Sequence, residues 1–195
     1  MNEIRSFIAI NLPDEIKVKL ESFVGELSQG RPWVKWVEAS GIHLTLKFLG
    51  NVAIEKVKEI SRVVEQVSHK SDPFKLEVGG LGAFPSTLRP QVIWVGVGGE
   101  LEKLATLQRK IDDGLAGIGF APEERAFTPH FTIGRVREGA DPASRRELGN
   151  KLQIMRDQFF GSFTADGVTL MRSQLTPKGA IYSELAYFGL SACQG

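Results

Sequence analysis

A single cysteine, Cys193, rules out any disulfide within the chain. A reducing cytoplasm is therefore the expected compartment. Long apolar runs are missing as well. Nothing approaches the ~18 continuous apolar residues that span a bilayer. The first residues, Met1 to Asn11, are too polar for a signal peptide, so none is expected. Net charge is nearly absent, at +1. No global field then favours bulk nucleic-acid binding, and only a local basic patch could do so. Histidine is scarce, with three in 195 residues. What remains is ordinary for a globular protein: 42% apolar and 24% charged residues. The length is enough for one domain with a real core.

The pattern of apolar residues predicts alternating elements. Ile4 to Leu12 reads as a strand. Pro13-Asp14-Glu15 opens a helix whose apolar positions Ile16, Leu20, Phe23, Val24 and Leu27 share one face. Trp33 to Val37 is a short strand, and Gly41 to Gly50 a longer one. A second helix follows through Ile54, Val57, Ile60, Val63, Val64 and Val67. Phe74 to Phe84 and Gln91 to Val97 read as two strands. A third helix carries Leu101, Leu104, Leu107, Ile111 and Leu115. Asp141-Pro142 caps a fourth, with a stripe of Leu148, Leu152, Met155 and Phe159. Phe163 to Arg172 and Ala180 to Leu190 are expected as a closing pair, with a turn at Thr176 to Gly179.

Two stretches stand out. One is His43-Leu44-Thr45-Leu46-Lys47-Phe48-Leu49-Gly50. The other is His130-Phe131-Thr132-Ile133-Gly134-Arg135. They lie a little under half the chain apart. Each sits at the same place in a repeated order of strand, helix, His-x-Thr strand, helix and strand pair. We read one domain, residues 1–195, built from repeats at about 4–90 and 91–190 with no linker between them.

Alternate side chains of a strand share a face. His43, Thr45 and Lys47 should point one way, with Leu44, Leu46 and Phe48 packed on the other. His130, Thr132 and Gly134 should share a face opposite Phe131 and Ile133. A lone histidine on a strand is more often structural than catalytic, but a matched pair reverses that preference. Imidazole titrates near neutrality, so one ring can accept a proton while the other donates one. Phosphodiester hydrolysis needs both acts. The threonine hydroxyls can hydrogen-bond phosphate oxygens and stabilise the charge that develops there. Zinc is a poorer reading, because it wants three or four ligands and no cysteine or carboxylate shares these faces. His69 ends the second helix and is read as structural or solvated.

The paired motifs resemble the His-x-Thr-x signatures of the 2H phosphoesterase superfamily. "RSFIAINLP", "HLTLKFLG" and "PHFTIGRV" are similar to its branch of RNA 2′,3′-cyclic phosphodiesterases, historically called 2′-5′ RNA ligases. The resemblance covers nearly the whole chain. It implies a bilobal α+β fold, with two antiparallel sheets backed by helices around a central cleft. It implies hydrolysis of RNA 2′,3′-cyclic phosphate ends to 2′-phosphate ends, with no metal or other cofactor. Carried over, His43 is the proton donor, His130 the proton acceptor, and Thr45 and Thr132 grip the phosphate. RNA ends, and nucleotides in the cleft, are the expected partners of a monomer with no membrane contact.

Other residues are open on the sequence. Lys47 could meet phosphate or be a solvated lysine. Arg135 falls on the wrong face by strict alternation and reaches the cleft only if Gly134 marks a bulge or strand end. Phe48 is expected in the core. The arginine-rich segment 135–156 could attract RNA, although a solvated helix face is the simpler reading. Trp33, Trp36 and Trp94 are stacking candidates whose default is the core. Three other activities stay open: 2′-5′ end ligation, hydrolysis of a small cyclic nucleotide, and RNA binding without catalysis.

Overall fold

A computed structural model of the chain describes residues 3–176 and 179–191. Cys193 and the Pro177-Lys178 turn lie outside them. The described residues form nine strands and four α-helices, with short 3-10 turns before and after the third strand. In chain order these are β1 (Glu3–Asn11), α1 (Asp14–Ser28), β2 (Val34–Trp36), β3 (His43–Ala53), α2 (Val57–Ser68), β4 (Phe74–Phe84) and β5 (Val92–Gly99). They continue with α3 (Leu101–Ala116), β6 (His130–Val136), α4 (Pro142–Ile154), β7 (Phe159–Ala165), β8 (Gly167–Thr176) and β9 (Gly179–Gly189).

All strands join one curled antiparallel sheet in the order β7-β4-β5-β6-β3-β1-β8-β9, with β2 added on β6. The two expected sheets are its halves. Among the described residues they meet at β3 and β6, through the single bridge Leu44↔Phe131. The halves in space are not the halves of the sequence. β4 leaves the first repeat to pair with β5, while β8 and β9 return to β1. Helices cross over as well. α1 and α4 pack on β7 and β4, and α2 and α3 on β8, β9 and β3. Through this exchange each half of the sheet holds strands from both sequence repeats.

The helix faces follow the apolar stripes. On α1 the buried residues are Ile16, Leu20, Phe23, Val24 and Leu27, as the spacing predicts. Burying each such side chain stabilises the fold by about 1.5–3 kcal/mol. Asp141 caps α4, its Oδ1 accepting from the Ala143 and Ser144 amides at 3.0 Å. One continuous buried cluster runs across both lobes on the helix side, and includes Leu44 and Phe131. A second, small cluster of Phe7, Ala9 and Met171 lies on the opposite face, covered by Tyr182.

The closing pair differs from expectation. The segment Phe163 to Arg172 is not one strand. The chain breaks at Asp166, so β7 pairs with β4 at one end of the sheet and β8 with β1 in the other half. Phe159, expected on the α4 stripe, opens β7 instead and is exposed. Its spacing from Leu152 and Met155 suits a helix, but pairing of residues 159–165 with the β4 edge supplies hydrogen bonds along the whole segment.

Candidate active site

The Leu44↔Phe131 bridge sets the register of the two motifs. Both bridge side chains are fully buried on the helix side. Their neighbours therefore project from the other face. In that register His43 stands across from Thr132 and Thr45 across from His130, on strands roughly 5 Å apart. The burial alternation is the same in both motifs: partly exposed His, buried residue, partly exposed Thr, buried residue. Two histidines and two threonines thus share one patch at the centre of the sheet. Neither threonine hydroxyl has a hydrogen bond among the described residues.

Beyond each threonine the alternation breaks, at matching positions. β1 pairs Ala9 with Thr45 and then Ile8 with Lys47, so Leu46 is an extra residue, a β-bulge. β5 pairs Trp94 with Thr132 and then Ile93 with Gly134, so Ile133 is its counterpart. Each bulge reverses the faces of the residues after it. Lys47 turns inward beside Ile8, and Phe48 turns outward beside Phe7. Arg135, paired with Val92, joins the face of Thr132 and Trp94.

Three expectations change as a result. Lys47 does not share the face of His43 and Thr45. It is 6% exposed, and its Nζ donates to Asp112 and to the Ala121 carbonyl. Phe48 is not in the core. It is 63% exposed, with its ring 6.1 Å from Phe7. Arg135 does reach the open face, through a bulge one residue earlier than Gly134. The spacing of Leu46 and Leu49 could have shown this, since two buried residues three apart cannot share a face of a regular strand.

The histidines are held differently. His43 stacks on Phe7 at 4.6 Å and meets the edge of Tyr182 at 5.0 Å. Burial among these rings lowers its pKa to about 4, against an opposing hydrogen bond to the Gly41 carbonyl. His130 meets Phe84 edge-on at 4.9 Å. Its Nδ1 lies 2.7 Å from the Thr128 carbonyl. A carbonyl only accepts, so Nδ1 carries a hydrogen, and in the neutral tautomer the lone pair is on Nε2. Both rings use the carbonyl two residues earlier. Tyr182, Phe84 and these carbonyls carry no motif, and the place of Phe7 beside His43 was not legible in the sequence.

A pH dependence of stability follows from His43. Its folded pKa is about 4 and its ordinary value 6.5. Between those values the unfolded chain takes up a proton that the folded chain does not. This contribution is absent above about pH 6.5, grows as pH falls towards 4, and then levels off. It should cost about 2–3 kcal/mol by pH 4.5. Urea unfolding of the wild type and His43→Gln at pH 7.5 and 4.5 measures it. The variant should lose less stability on acidification. Equal losses would place the His43 pKa near its ordinary value.

The remaining candidates fall outside the patch or at its edge. Trp33 and Trp36 pack against the core. Trp94 lies on the open face beside Phe84, at 5.5 Å. His69 caps the end of α2. Among the described residues, no three His, Cys, Asp or Glu side chains gather as a metal site.

Known proteins match this arrangement along nearly its whole length. The model of the family "LigT like Phosphoesterase" fits residues 10–94 and again 95–182. The chain belongs to that family. The phosphoesterase is 34% identical over 188 residues to a protein of Methanothermobacter thermautotrophicus named RNA 2′,3′-cyclic phosphodiesterase. That alignment covers 96% of this chain and 100% of the relative. A protein of the same name from Archaeoglobus fulgidus is 35% identical over 95% of this chain and 99% of its own. Among solved structures, E. coli LigT complexed with 3′-AMP superposes with a TM-score of 0.79 at 26% identity. The match covers 98% of this phosphoesterase and 100% of LigT. No helix among the described residues is long and apolar enough to cross a membrane.

Proposed function

We propose that this phosphoesterase opens 2′,3′-cyclic phosphates at RNA ends, leaving 2′-phosphates, by two-histidine acid–base hydrolysis without a metal. The observation that carries this reading is the meeting of both His-x-Thr pairs on one face across the β3–β6 bridge. The names of the archaeal relatives support the substrate.

The reaction needs a proton removed and a proton supplied. His130 Nε2, free to accept, takes the proton of a water as its oxygen attacks phosphorus. The P–O3′ bond breaks, and His43 gives its proton to the leaving O3′. The Thr45 and Thr132 hydroxyls donate to the non-bridging oxygens, where charge builds in the transition state. His43 is neutral at pH 7 in the free protein. The anionic cyclic phosphate seated beside it raises its pKa, because an opposite charge favours the imidazolium. Proton uptake by His43 is thus coupled to substrate binding. Phe48 offers an exposed ring for a base, and Arg135 a cation, at opposite ends of the patch. That LigT was solved in complex with 3′-AMP supports a nucleotide as part of the ligand.

The test is a short RNA ending in 2′,3′-cyclic phosphate, incubated with the protein in excess EDTA. The expected product carries a 2′-phosphate, at an unchanged rate. A 3′-phosphate, or loss of turnover in EDTA, would reject the reading. Joining of the end to a 5′-hydroxyl RNA in place of hydrolysis would assign ligation.

A further inference from the structure

Beyond the catalytic patch, the far end of β6 runs into a second cationic feature. A groove of about 500 Å³ lies between the β4–β5 hairpin and the start of α4. Leu88, Arg89, Gln91, Pro142, Arg145 and Arg146 line it. Arg145 ties its walls together. Nε donates to the Ala140 carbonyl at 3.1 Å, Nη1 to Pro90 at 3.0 Å, and Nη2 to Arg137 at 2.8 Å and Glu138 at 3.2 Å. Carbonyls satisfy these donors and leave the full positive charge in place.

The flanking cations are free to act. Arg89 and Arg146 are exposed, and neither side chain has a hydrogen bond or ion pair among the described residues. The nearby acids are mostly committed. Glu147 bonds Arg31 at 2.6 Å, and both oxygens of Asp141 cap α4. Among the described residues of this segment, Glu138 and Asp141 are the exposed carboxylates with no cation on them, and Asp141 keeps its negative charge because its partners are neutral amides and a hydroxyl. The hairpin is seated firmly, because a Cβ on Gly149 would run into the Thr87 carbonyl. A rigid groove lined by three arginines and no carboxylate, with Glu138 and Asp141 at its margin, keeps a net positive charge and suits an anion with repeated charges.

The groove is continuous with the catalytic strand. Val136 N donates to the Gln91 carbonyl at 2.9 Å, and the next residue, Val92, pairs with Arg135. From Thr132 to Val136 the strand advances roughly 10–13 Å. One nucleotide of a duplex strand covers about 3.4 Å of axis, and an extended strand more. The distance therefore matches roughly two to three nucleotides.

We propose that this groove binds the sugar–phosphate backbone of the RNA two to three nucleotides upstream of the cyclic end. The substrate class is then an oligoribonucleotide rather than a mononucleotide. This rests on the RNA-end reading above, and the experiment separates the two. Steady-state kinetics compare a dinucleotide and a six-nucleotide RNA, both ending in 2′,3′-cyclic phosphate. The wild type should favour the longer RNA about tenfold in KM. The double variant Arg89→Ala/Arg146→Ala should lose that advantage while keeping kcat, and keeping kcat/KM on the dinucleotide. Loss of two phosphate contacts should reduce the salt slope of hexamer binding by about 1.4. Arg89→Lys/Arg146→Lys should retain most of both. No length preference in the wild type, or an equal loss on both substrates in the alanine variant, would overturn the groove. If neither RNA turns over, the RNA-end reading fails. Binding of a hexamer bearing a 2′-phosphate, measured by fluorescence anisotropy, still decides the groove: weaker binding by the alanine variant supports it and equal binding rejects it.

Discussion

His130→Ala and His43→Ala are each expected to slow opening of an RNA 2′,3′-cyclic phosphate by about 10²–10⁴-fold, the usual worth of a positioned acid or base. The loss should fall on kcat. On the proposed mechanism Thr45, Thr132 and Arg135 would still hold the phosphate, so KM should change little. The double variant should be scarcely worse than either single one, because proton removal and proton supply belong to one transition state. Folding must be kept apart from chemistry. His130 sits at the open end of β6, so its loss leaves the core intact. His43 fills space between Phe7 and Tyr182, so its variant needs a thermal melt alongside the rate. His43→Gln keeps more of that volume and serves as the second variant. Full activity in either histidine variant sinks the two-histidine mechanism.

Much of this site was legible because a duplication leaves two marks. A single His-x-Thr on a strand carries little information. The second copy, at the same place in the element order, made His43 and His130 candidates together. The structure then shows why they can meet. β3 and β6 touch at one bridge between the motifs, and the histidine and threonine of each motif project from the same face. The strand and helix order was legible for the same reason that helices and strands form at all: their apolar periods differ.

What escaped the sequence escaped through departures from period two. The bulge at Leu46 reversed Lys47 and Phe48, and the bulge at Ile133 brought Arg135 to the open face. Parity arguments are sound only up to the first extra residue. The exchange of strands between lobes was hidden for another reason. β4 and β8 have the composition of any strand, and partner choice across the sheet depends on long-range packing. The β7–β8 break at Asp166 was hidden in the same way, since Phe163 to Arg172 is rich in strand formers throughout. The rings around His43 come from β1 and β9, at opposite ends of the chain, and no local pattern joins them.

Lys47→Met is expected to destabilise the fold by about 3 kcal/mol, near the low end for breaking a buried ion pair. The low end applies because the Asp112 side chain keeps 13% of its surface while that of Lys47 keeps 4%. Burial pushes the Asp112 carboxyl up, but hydrogen bonds from Lys47 and the Glu123 amide outweigh it and hold the group below the usual carboxylate range. Removing the ammonium leaves a partly buried carboxylate with one donor. It also frees the Ala121 carbonyl, held at 2.5 Å by Lys47. Asp112 Oδ2 still accepts from Glu123 N at 3.1 Å. These contacts tether the segment that leads from α3 to His130, so the same lysine that follows the first motif anchors the approach to the second. Lys47→Met should therefore lower kcat as well as stability, even at temperatures where the protein stays folded. Lys47→Met/Asp112→Leu removes both charges and should regain most of the stability. It should not regain kcat, because the tether to Ala121 and Glu123 is still missing. Chemical denaturation and kinetics on the three proteins separate the two effects. Recovery of both together would reduce Lys47 to a neutral part of the core, and a loss under 1 kcal/mol would mean that water already screens the pair.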